Sequence, residues 1–308
     1  MLQTENTIEP NFDCIERGYK SCRGAVKQFF RGELWYASNL SSENRRGLDA
    51  VLFNLMRTID MLELESVSGL ALDVWHEIRD ELSDAFSDKY HSVELTALVD
   101  TARRYDIPKQ FLFDPLRGAD IWIRQREFQS WEDLEAFLSN VGGSIMASIV
   151  PLLEPTSEDW HIPAFEAGKA IMLTRIMANC VYDIKANRIF FAKDDIENCE
   201  VDIPRIKLRR ETKSFRHLIR LYAARAEKLL IDGSQLVSMV DFDGKRSLTS
   251  LLAYHWQMLT KMKIQPELAL SDRGIFTLAE QLGFKSKHLM GLKFHLPFLP
   301  DETVTHHH

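Results

Sequence analysis

A first stripe of polar side chains interrupts a helix that is otherwise apolar. In the segment RTIDMLELES, Arg57 and Asp60 are three residues apart, and Glu63 follows one turn later. Residues three and four apart lie on the same side of a helix, so these three side chains share a face. Met56 and Ile59 pack beside them, which places the charges next to apolar surface.

A second stripe lies in the segment GKAIMLTRIMANCVYDIKANR, where Arg175, Asn179 and Asp183 follow one another at intervals of four residues. A guanidinium, an amide and a carboxylate in one line on a core helix cost free energy unless they meet a ligand or one another. Two interpretations therefore stay open for each stripe. It is a ligand site, or it is structural, either a solvated edge or an internal Arg–Asp pair.

Other familiar functional motifs are absent from the sequence. There is no GxGxxG after a strand, no GxxxxGK[ST], no HExxH and no GxSxG, so dinucleotide, P-loop, zincin and hydrolase-elbow sites have no support. Residues 306–308 resemble the start of an expression tag. Apart from these three, no two histidines are three or four residues apart, so the histidines are expected at the surface or satisfied in the core.

The elements that must position the two stripes are predicted to be helices. Apolar residues recur at three- and four-residue spacing, as they do from Leu48 to Leu62. This periodicity predicts ten helices and requires no strand, near 12–31, 43–66, 68–87, 91–105, 108–123, 130–152, 162–185, 213–232, 246–263 and 274–290. Start signals support three of them: Ser41 or Ser42, Ser130 with Asp133, and Pro163.

Composition narrows the class of protein. The chain has 308 residues, 45% of them apolar, with only 14 Gly and 10 Pro, which favours a helical protein with a real core. A net charge of −7 argues against nucleic acid as a partner. Neither a signal peptide nor a transmembrane segment is expected, and the four scattered cysteines suit a reducing compartment, so a cytoplasmic location is predicted.

The chain is expected to form a single helical domain over residues 1–305, with 306–308 as a tag remnant. Residues 187–210 are polar and β-branched and contain Pro204, so they are predicted to form an irregular connection. No Gly/Ser-rich or Pro-rich tract and no internal repeat marks a domain boundary.

Five segments in order resemble the squalene/phytoene synthase family, over about residues 34–282. In that family an arginine precedes a D-x-x-x-D motif. Here Arg57 and Asp60 match it, while Leu64 stands at the closing acid between Glu63 and Glu65. The middle segment FDPLRGADIWIRQREFQSWEDLEAFLSNVGGSI carries further family residues at Gly118, Arg124, Asp133, Leu134, Val141 and Gly143.

The second acidic motif of the family reads N-x-x-x-D-x-x-x-D and is followed by a Gly-Arg pair. This chain has Arg175, Asn179 and Asp183 there, followed by Asn187 and Arg188. The last acid and the arginine are retained. An arginine replaces the first amide and an amide replaces the first acid.

This resemblance implies an all-α, isoprenoid-synthase-like bundle around a central apolar cavity. It implies an isoprenyl-diphosphate-dependent prenyltransferase that ionises an allylic prenyl diphosphate and transfers the prenyl cation to an acceptor. Mg²⁺ is the implied cofactor, because it prefers carboxylate and phosphate oxygens and stabilises the charge on the leaving diphosphate. The implied metal ligands are Asp60, Glu63 and Asp183.

Further site residues follow from the same resemblance. The implied catalytic residues are Asp60, Asp183 and Asn179. The implied substrate-binding residues are Arg57, Arg175, Arg188 and Arg124, with Phe53, Trp122 and Phe137, and also Phe190, as aromatic walls that exclude water and face the cation.

Departures from the family pattern bear on the reaction. Leu64 and Trp122 stand where the family usually has Asp, and Arg175 adds a positive charge, so full multi-Mg²⁺ binding is expected to be impaired. A guanidinium binds phosphate without a metal, so Arg175 is expected to substitute for a lost ion. A small-molecule nucleophile, for instance an aromatic compound, is slightly favoured over a second prenyl diphosphate as the acceptor, and terpene cyclisation is a further alternative.

A hypothesis from another functional class is that the chain is a non-catalytic family member that serves as a binding or assembly module. The polar residues kept on apolar helices favour retained ligand binding. Peripheral contact with a membrane stays open.

Overall fold

The computed structural model describes residues 8–30, 33–68, 71–271 and 274–299, without the side chains of residues 33 and 62–68. Within these ranges the backbone forms helices and isolated bridges but no strand. Thirteen α-helices follow in order: α1 Phe12–Phe29, α2 Ser42–Ser68, α3 Ala71–Ala85, α4 Val93–Arg104, α5 Lys109–Gln125, α6 Trp131–Leu138, α7 Ser144–Ile149, α8 His161–Lys185, α9 Lys193–Asn198, α10 Ile203–Lys207, α11 Lys213–Ser234, α12 Phe242–Ile264 and α13 Leu278–Leu289.

Two helices carry the polar stripes, α2 and α8, and the short helix α7 contacts both of them. Helix α2 packs against α1, α4 and α5, whereas α8 packs most extensively against α11. Small residues allow α8 and α11 to approach each other closely. A Cβ added to Gly233 of α11 would lie 2.3 Å from the backbone nitrogen of Ala167 in α8. The bundle therefore holds the stripe-bearing helices at fixed positions through close backbone packing.

The stretch Trp131–Leu153 is one nearly continuous helix made of α6, a π-helical turn at Ser139–Gly143, α7 and a 3₁₀ turn. A capping box starts it, in which Ser130 accepts from the backbone N–H of Asp133 and the Asp133 carboxylate accepts from the backbone N–H of Ser130. By length and composition the stretch could cross a membrane, but 67% of its most apolar window is buried inside the fold. That burial is typical of a core helix.

The predicted all-α class is confirmed, and the strongly periodic helices lie close to where the sequence places them. The segment predicted as an irregular connection, 187–210, instead contains α9 and α10. Asp202 explains the second of these, because its side chain caps the backbone N–H of Arg205 and Pro204 occupies the first turn. The proposed tag remnant at 306–308 lies outside the described residues.

Candidate active site

Arg57 is the best-placed anion-binding group of the first stripe. Its Nη2 donates to the carboxylate of Glu81 on α3, which holds the guanidinium against the neighbouring helix. Its Nη1 is buried and has no hydrogen-bond partner among the residues that the structure describes. A buried charged donor without a partner costs free energy, and an anionic ligand that reached this nitrogen would offset that cost.

Of the two acids of the first stripe, the structure describes the side chain of Asp60 but not that of Glu63. Asp60 is exposed on α2, one turn beyond Arg57. The side chain of Glu63 lies outside the described residues, as do those of Leu64 and Glu65. The proposed metal role of Glu63 therefore stays a prediction.

Asp183, the last acid of the second stripe, forms an ion pair at the end of α8. Its Oδ1 accepts from Arg188 Nε at 3.1 Å and from Arg188 Nη2 at 2.9 Å. Both side chains are mostly buried, so this ion pair joins the last acid of the stripe to the arginine that follows α8. The two residues nevertheless place a cation and a carboxylate together, as a diphosphate–metal site requires.

Arg175 and Asn179 are exposed on α8. The positive charge of Arg175 affects the pKa of His255, a residue that the sequence did not indicate. His255 of α12 is buried, and its Nδ1 has no hydrogen-bond partner within the described ranges. Burial and the positive charge of Arg175 lower the pKa of His255 to about 3. A lone histidine in an apolar stretch has no spacing signal, which is why sequence reasoning assigned it an ordinary core role.

We expect His255 to make stability depend on pH. The pKa is 6.5 for an ordinary histidine and about 3 in the fold, so between these values the unfolded chain binds more protons. Its contribution to the free energy of unfolding is present above pH 6.5 and is lost as the pH falls towards 3. Between pH 7 and 5 the loss is about 2 kcal/mol.

Urea unfolding of the parent and of His255→Gln at both pH values measures this contribution. The variant should show a pH dependence smaller by that amount. An identical pH dependence in the two proteins would contradict the neutral, buried state of His255.

Three of the four predicted aromatic walls form a packed cluster. Ring centroids of Trp122 and Phe190 are 4.6 Å apart, and those of Phe137 and Phe190 are 5.6 Å apart. Phe190 follows Arg188 by two residues, so the cluster and the Asp183–Arg188 pair are adjacent along the chain. All three side chains are buried, and the Nε1 of Trp122 has no partner in the described part of the chain.

Two other predicted substrate-binding residues lie in different surroundings. Phe53 is half-buried on α2 and packs against a small cluster that includes Tyr19 of α1. Arg124 is exposed on α5 and pairs with Asp120, with 2.7 Å between Nε and Oδ1. Their roles stay predictions, since neither contact points to a ligand.

Glycines of the middle segment that resembles the family allow close packing between helices. A Cβ on Gly142 in the π-helical turn would lie 2.4 Å from the backbone oxygen of Gly168 in α8. Gly118 of α5 likewise leaves room for Val141, whose side chain would be 2.5 Å from an added Cβ. These glycines let α5, the π-helical turn and α8 approach closely near the aromatic cluster.

The fit of the implied Mg²⁺ can be tested on the acidic side chains. No group of three His, Cys, Asp or Glu that could hold a metal occurs among the described side chains. Mg²⁺ commonly takes only one or two carboxylates and completes its coordination with water and substrate phosphates. The exposed carboxylate of Asp60, and that of Asp183 beside Arg188, fit such a shared ion better than a site formed by protein alone.

Comparison with known proteins identifies related sequences and folds. The sequence model of the squalene/phytoene synthase family matches residues 33–273. The chain is 22% identical over 281 residues to the chloroplastic phytoene synthase 1 of Arabidopsis thaliana. That alignment covers 88% of this chain and 63% of the plant protein, less than two thirds of its length.

Two solved structures share the fold. A dehydrosqualene synthase in complex with ligand aligns with a TM-score of 0.77 at 18% identity, over 91% of this chain and 98% of that one. The squalene synthase HpnC of Alicyclobacillus acidocaldarius aligns with a TM-score of 0.73 at 18% identity, over 82% and 95% of the two chains.

Proposed function

The chain belongs to the squalene/phytoene synthase family, and from that premise we propose that it is a prenyltransferase that ionises an allylic prenyl diphosphate. The observation that carries this proposal is the buried Nη1 of Arg57, a charged donor without a described partner. It lies on the same helical face as Asp60, the acid that matches the first family motif. A diphosphate would satisfy the donor and bring an anion next to that carboxylate.

Each polar group has a distinct part in this proposal. Arg57 and Arg175 hold the diphosphate through charge-assisted hydrogen bonds. Arg188 orients Asp183 through the ion pair, and Asn179 contributes an amide on the same face of α8. Asp60 and Asp183 would hold Mg²⁺ together with the diphosphate. When bound, Mg²⁺ supplies positive charge that stabilises the leaving group.

The acceptor is the finer part of the proposal. A second prenyl diphosphate would have to be bound with only one fully matched family acid on each stripe, at Asp60 and at Asp183. Arg175 and Asn179 remove one negative charge and add one positive charge on α8, which disfavours a second metal-bridged diphosphate. We therefore favour a single prenyl donor and a different small-molecule nucleophile, for instance an aromatic compound.

Asp60→Asn tests the site and its metal dependence together. Release of pyrophosphate is measured for donors from dimethylallyl to geranylgeranyl diphosphate, with and without Mg²⁺. The parent should be active only with Mg²⁺. Asp60→Asn should lower that activity by about 10²- to 10³-fold, in the range found when one electrostatic group is removed from a transition-state site.

A control separates this effect from misfolding. Asp88→Asn removes an exposed acid that pairs with Arg103 of α4, outside the predicted site, and it should leave the activity unchanged. Full Mg²⁺-dependent activity in Asp60→Asn would refute the assigned metal ligand.

A specific observation favours the second candidate, a non-catalytic binding module. Two predicted ligand-binding groups have internal partners: Glu81 accepts from Arg57, and Asp183 accepts from Arg188. Under this alternative the protein binds prenyl diphosphate, and no donor in the panel yields pyrophosphate. Binding without release would select the module over the enzyme.

A further inference from the structure

An exposed apolar face lies along α13 and the residues that follow it. We call it the C-terminal apolar face, and its side chains are between 53% and 72% exposed: Leu278, Leu282, Leu289, Met290 and Leu292. Leu278, Leu282 and Leu289 are spaced by four and seven residues and share one side of the helix. Single exposed leucines are ordinary, but four leucines and a methionine within fifteen residues form an exposed apolar cluster, which typically marks an interaction surface.

The opposite side of α13 is anchored in the fold, so the orientation of the helix is fixed. A capping box between Thr277 and Glu280 starts it. His288 is buried, with its Nδ1 2.7 Å from the hydroxyl of Ser250, and Phe284 packs against Tyr254. The side of α13 that carries Phe284 and His288 therefore packs against the fold, while the leucines stay exposed on the other side.

Positive charge accompanies this face. Residues 278–293 contain three lysines and one glutamate, a net charge of +2, in a chain whose net charge is −7. Lys285 lies seven residues after Leu278, on the leucine side, and Lys293 follows Leu292. The single acid, Glu280, is neutralised by Lys261, whose Nζ donates to it at 2.7 and 2.9 Å.

This combination selects the kind of partner. Leucines flanked by lysines match the boundary between acyl chains and anionic headgroups, where lysine stems lie along apolar surface and their ammonium groups reach phosphate. A second copy of this chain is a poorer fit. Two copies of this lysine-bearing face would bring like charges together, and like charges repel.

We propose that the C-terminal apolar face binds the surface of an anionic phospholipid bilayer, with α13 lying in the interfacial plane. The Leu278, Leu282 and Leu289 side chains enter the boundary of the acyl chains, and Lys285 and Lys293 contact headgroup phosphates. This assignment uses no part of the proposed catalytic site.

Flotation with lipid vesicles tests the proposal. The full chain is mixed with vesicles of phosphatidylcholine alone or of equal parts phosphatidylcholine and phosphatidylglycerol. Binding to the anionic vesicles should exceed binding to the neutral ones by at least about tenfold and should weaken at high salt. The double variant Leu282→Asp/Leu289→Asp should lose it, with an unchanged melting temperature because both side chains are exposed.

The matched control is Ile162→Asp/Leu208→Asp. Ile162 lies in α8 and is 76% exposed, and Leu208 directly follows α10 and is 66% exposed. It should bind anionic vesicles as the parent does. Equal loss in both double variants, or equal binding to the two vesicle types, would overturn the proposal. Sedimentation velocity adds the last outcome: a dimer that the leucine variant abolishes would assign the face to a second copy instead.

Discussion

Replacing Arg57 with Gln is expected to weaken the binding of prenyl diphosphate by about 100-fold. The guanidinium presents a buried Nη1 that lacks a described partner, and its other terminal nitrogen is already held by Glu81. A hydrogen bond from a charged group contributes about 1.5–3 kcal/mol, and each 1.4 kcal/mol is about tenfold in affinity. The glutamine amide retains a donor but loses the charge. Isothermal calorimetry with a non-hydrolysable prenyl diphosphate analogue measures the change.

The partner of Arg57 provides the matched control. Glu81→Gln removes the negative charge that neutralises the guanidinium and keeps Arg57 itself, so it should leave the affinity unchanged or raise it. An internal structural pair behaves differently, because both variants would then lower the melting temperature and neither would change the affinity selectively. Equal affinities of the parent and Arg57→Gln would remove Arg57 from the diphosphate site.

Periodicity predicted the helices of this fold because burial decides where they lie. Helix α8 illustrates the reason: its apolar residues recur on the side that packs against α11, and Leu173 and Met177 on that helix are buried. The short helices α9 and α10 were missed because each is only one or two turns long and is defined by local capping. Asp202 is such a signal, but a single cap does not separate a short helix from a turn.

Charges on the two stripes were predicted from spacing, but their partners could not be. Glu81 is 24 residues from Arg57, and the contact between them depends on how α3 packs against α2. His255 is 80 residues from Arg175, and the effect of that arginine on its buried ring depends on how α12 packs against α8. Arg188 is nearer, five residues from Asp183, but it reaches the carboxylate through the turn after α8, where Asn187 has a positive φ of 58°.

The glycines at the crossing of α8 and the π-helical turn connect packing to this site. A π-helical turn widens the helix by one residue per turn and commonly occurs at functional positions. Here it directs Gly142 at Gly168, and it begins two residues after Phe137, which stacks on Phe190 beyond the end of α8. The close contact between α8 and the π-helical turn is therefore next to the aromatic cluster along the chain.

Gly168→Ala is expected to destabilise the protein by about 1–2 kcal/mol, although alanine is the better helix former. The added Cβ would lie 2.1 Å from the backbone oxygen of Gly142 and 2.6 Å from its carbonyl carbon, and backbone atoms cannot rotate away. Overpacking of this kind costs about 1–3 kcal/mol or more, which exceeds the gain of about 0.5–1 kcal/mol from replacing a helical glycine. The midpoint of urea unfolding should fall accordingly.

Gly24→Ala isolates the helix-propensity contribution. Gly24 lies in α1 and is exposed, and no heavy atom lies within 4 Å of an added Cβ, so alanine there should stabilise the protein by about 0.5–1 kcal/mol. Opposite signs for the two glycine-to-alanine changes would show that the Gly142–Gly168 contact, rather than helix propensity, determines the first result. If Gly168→Ala instead raises the urea midpoint as Gly24→Ala does, then α8 and the π-helical turn are not in close backbone contact.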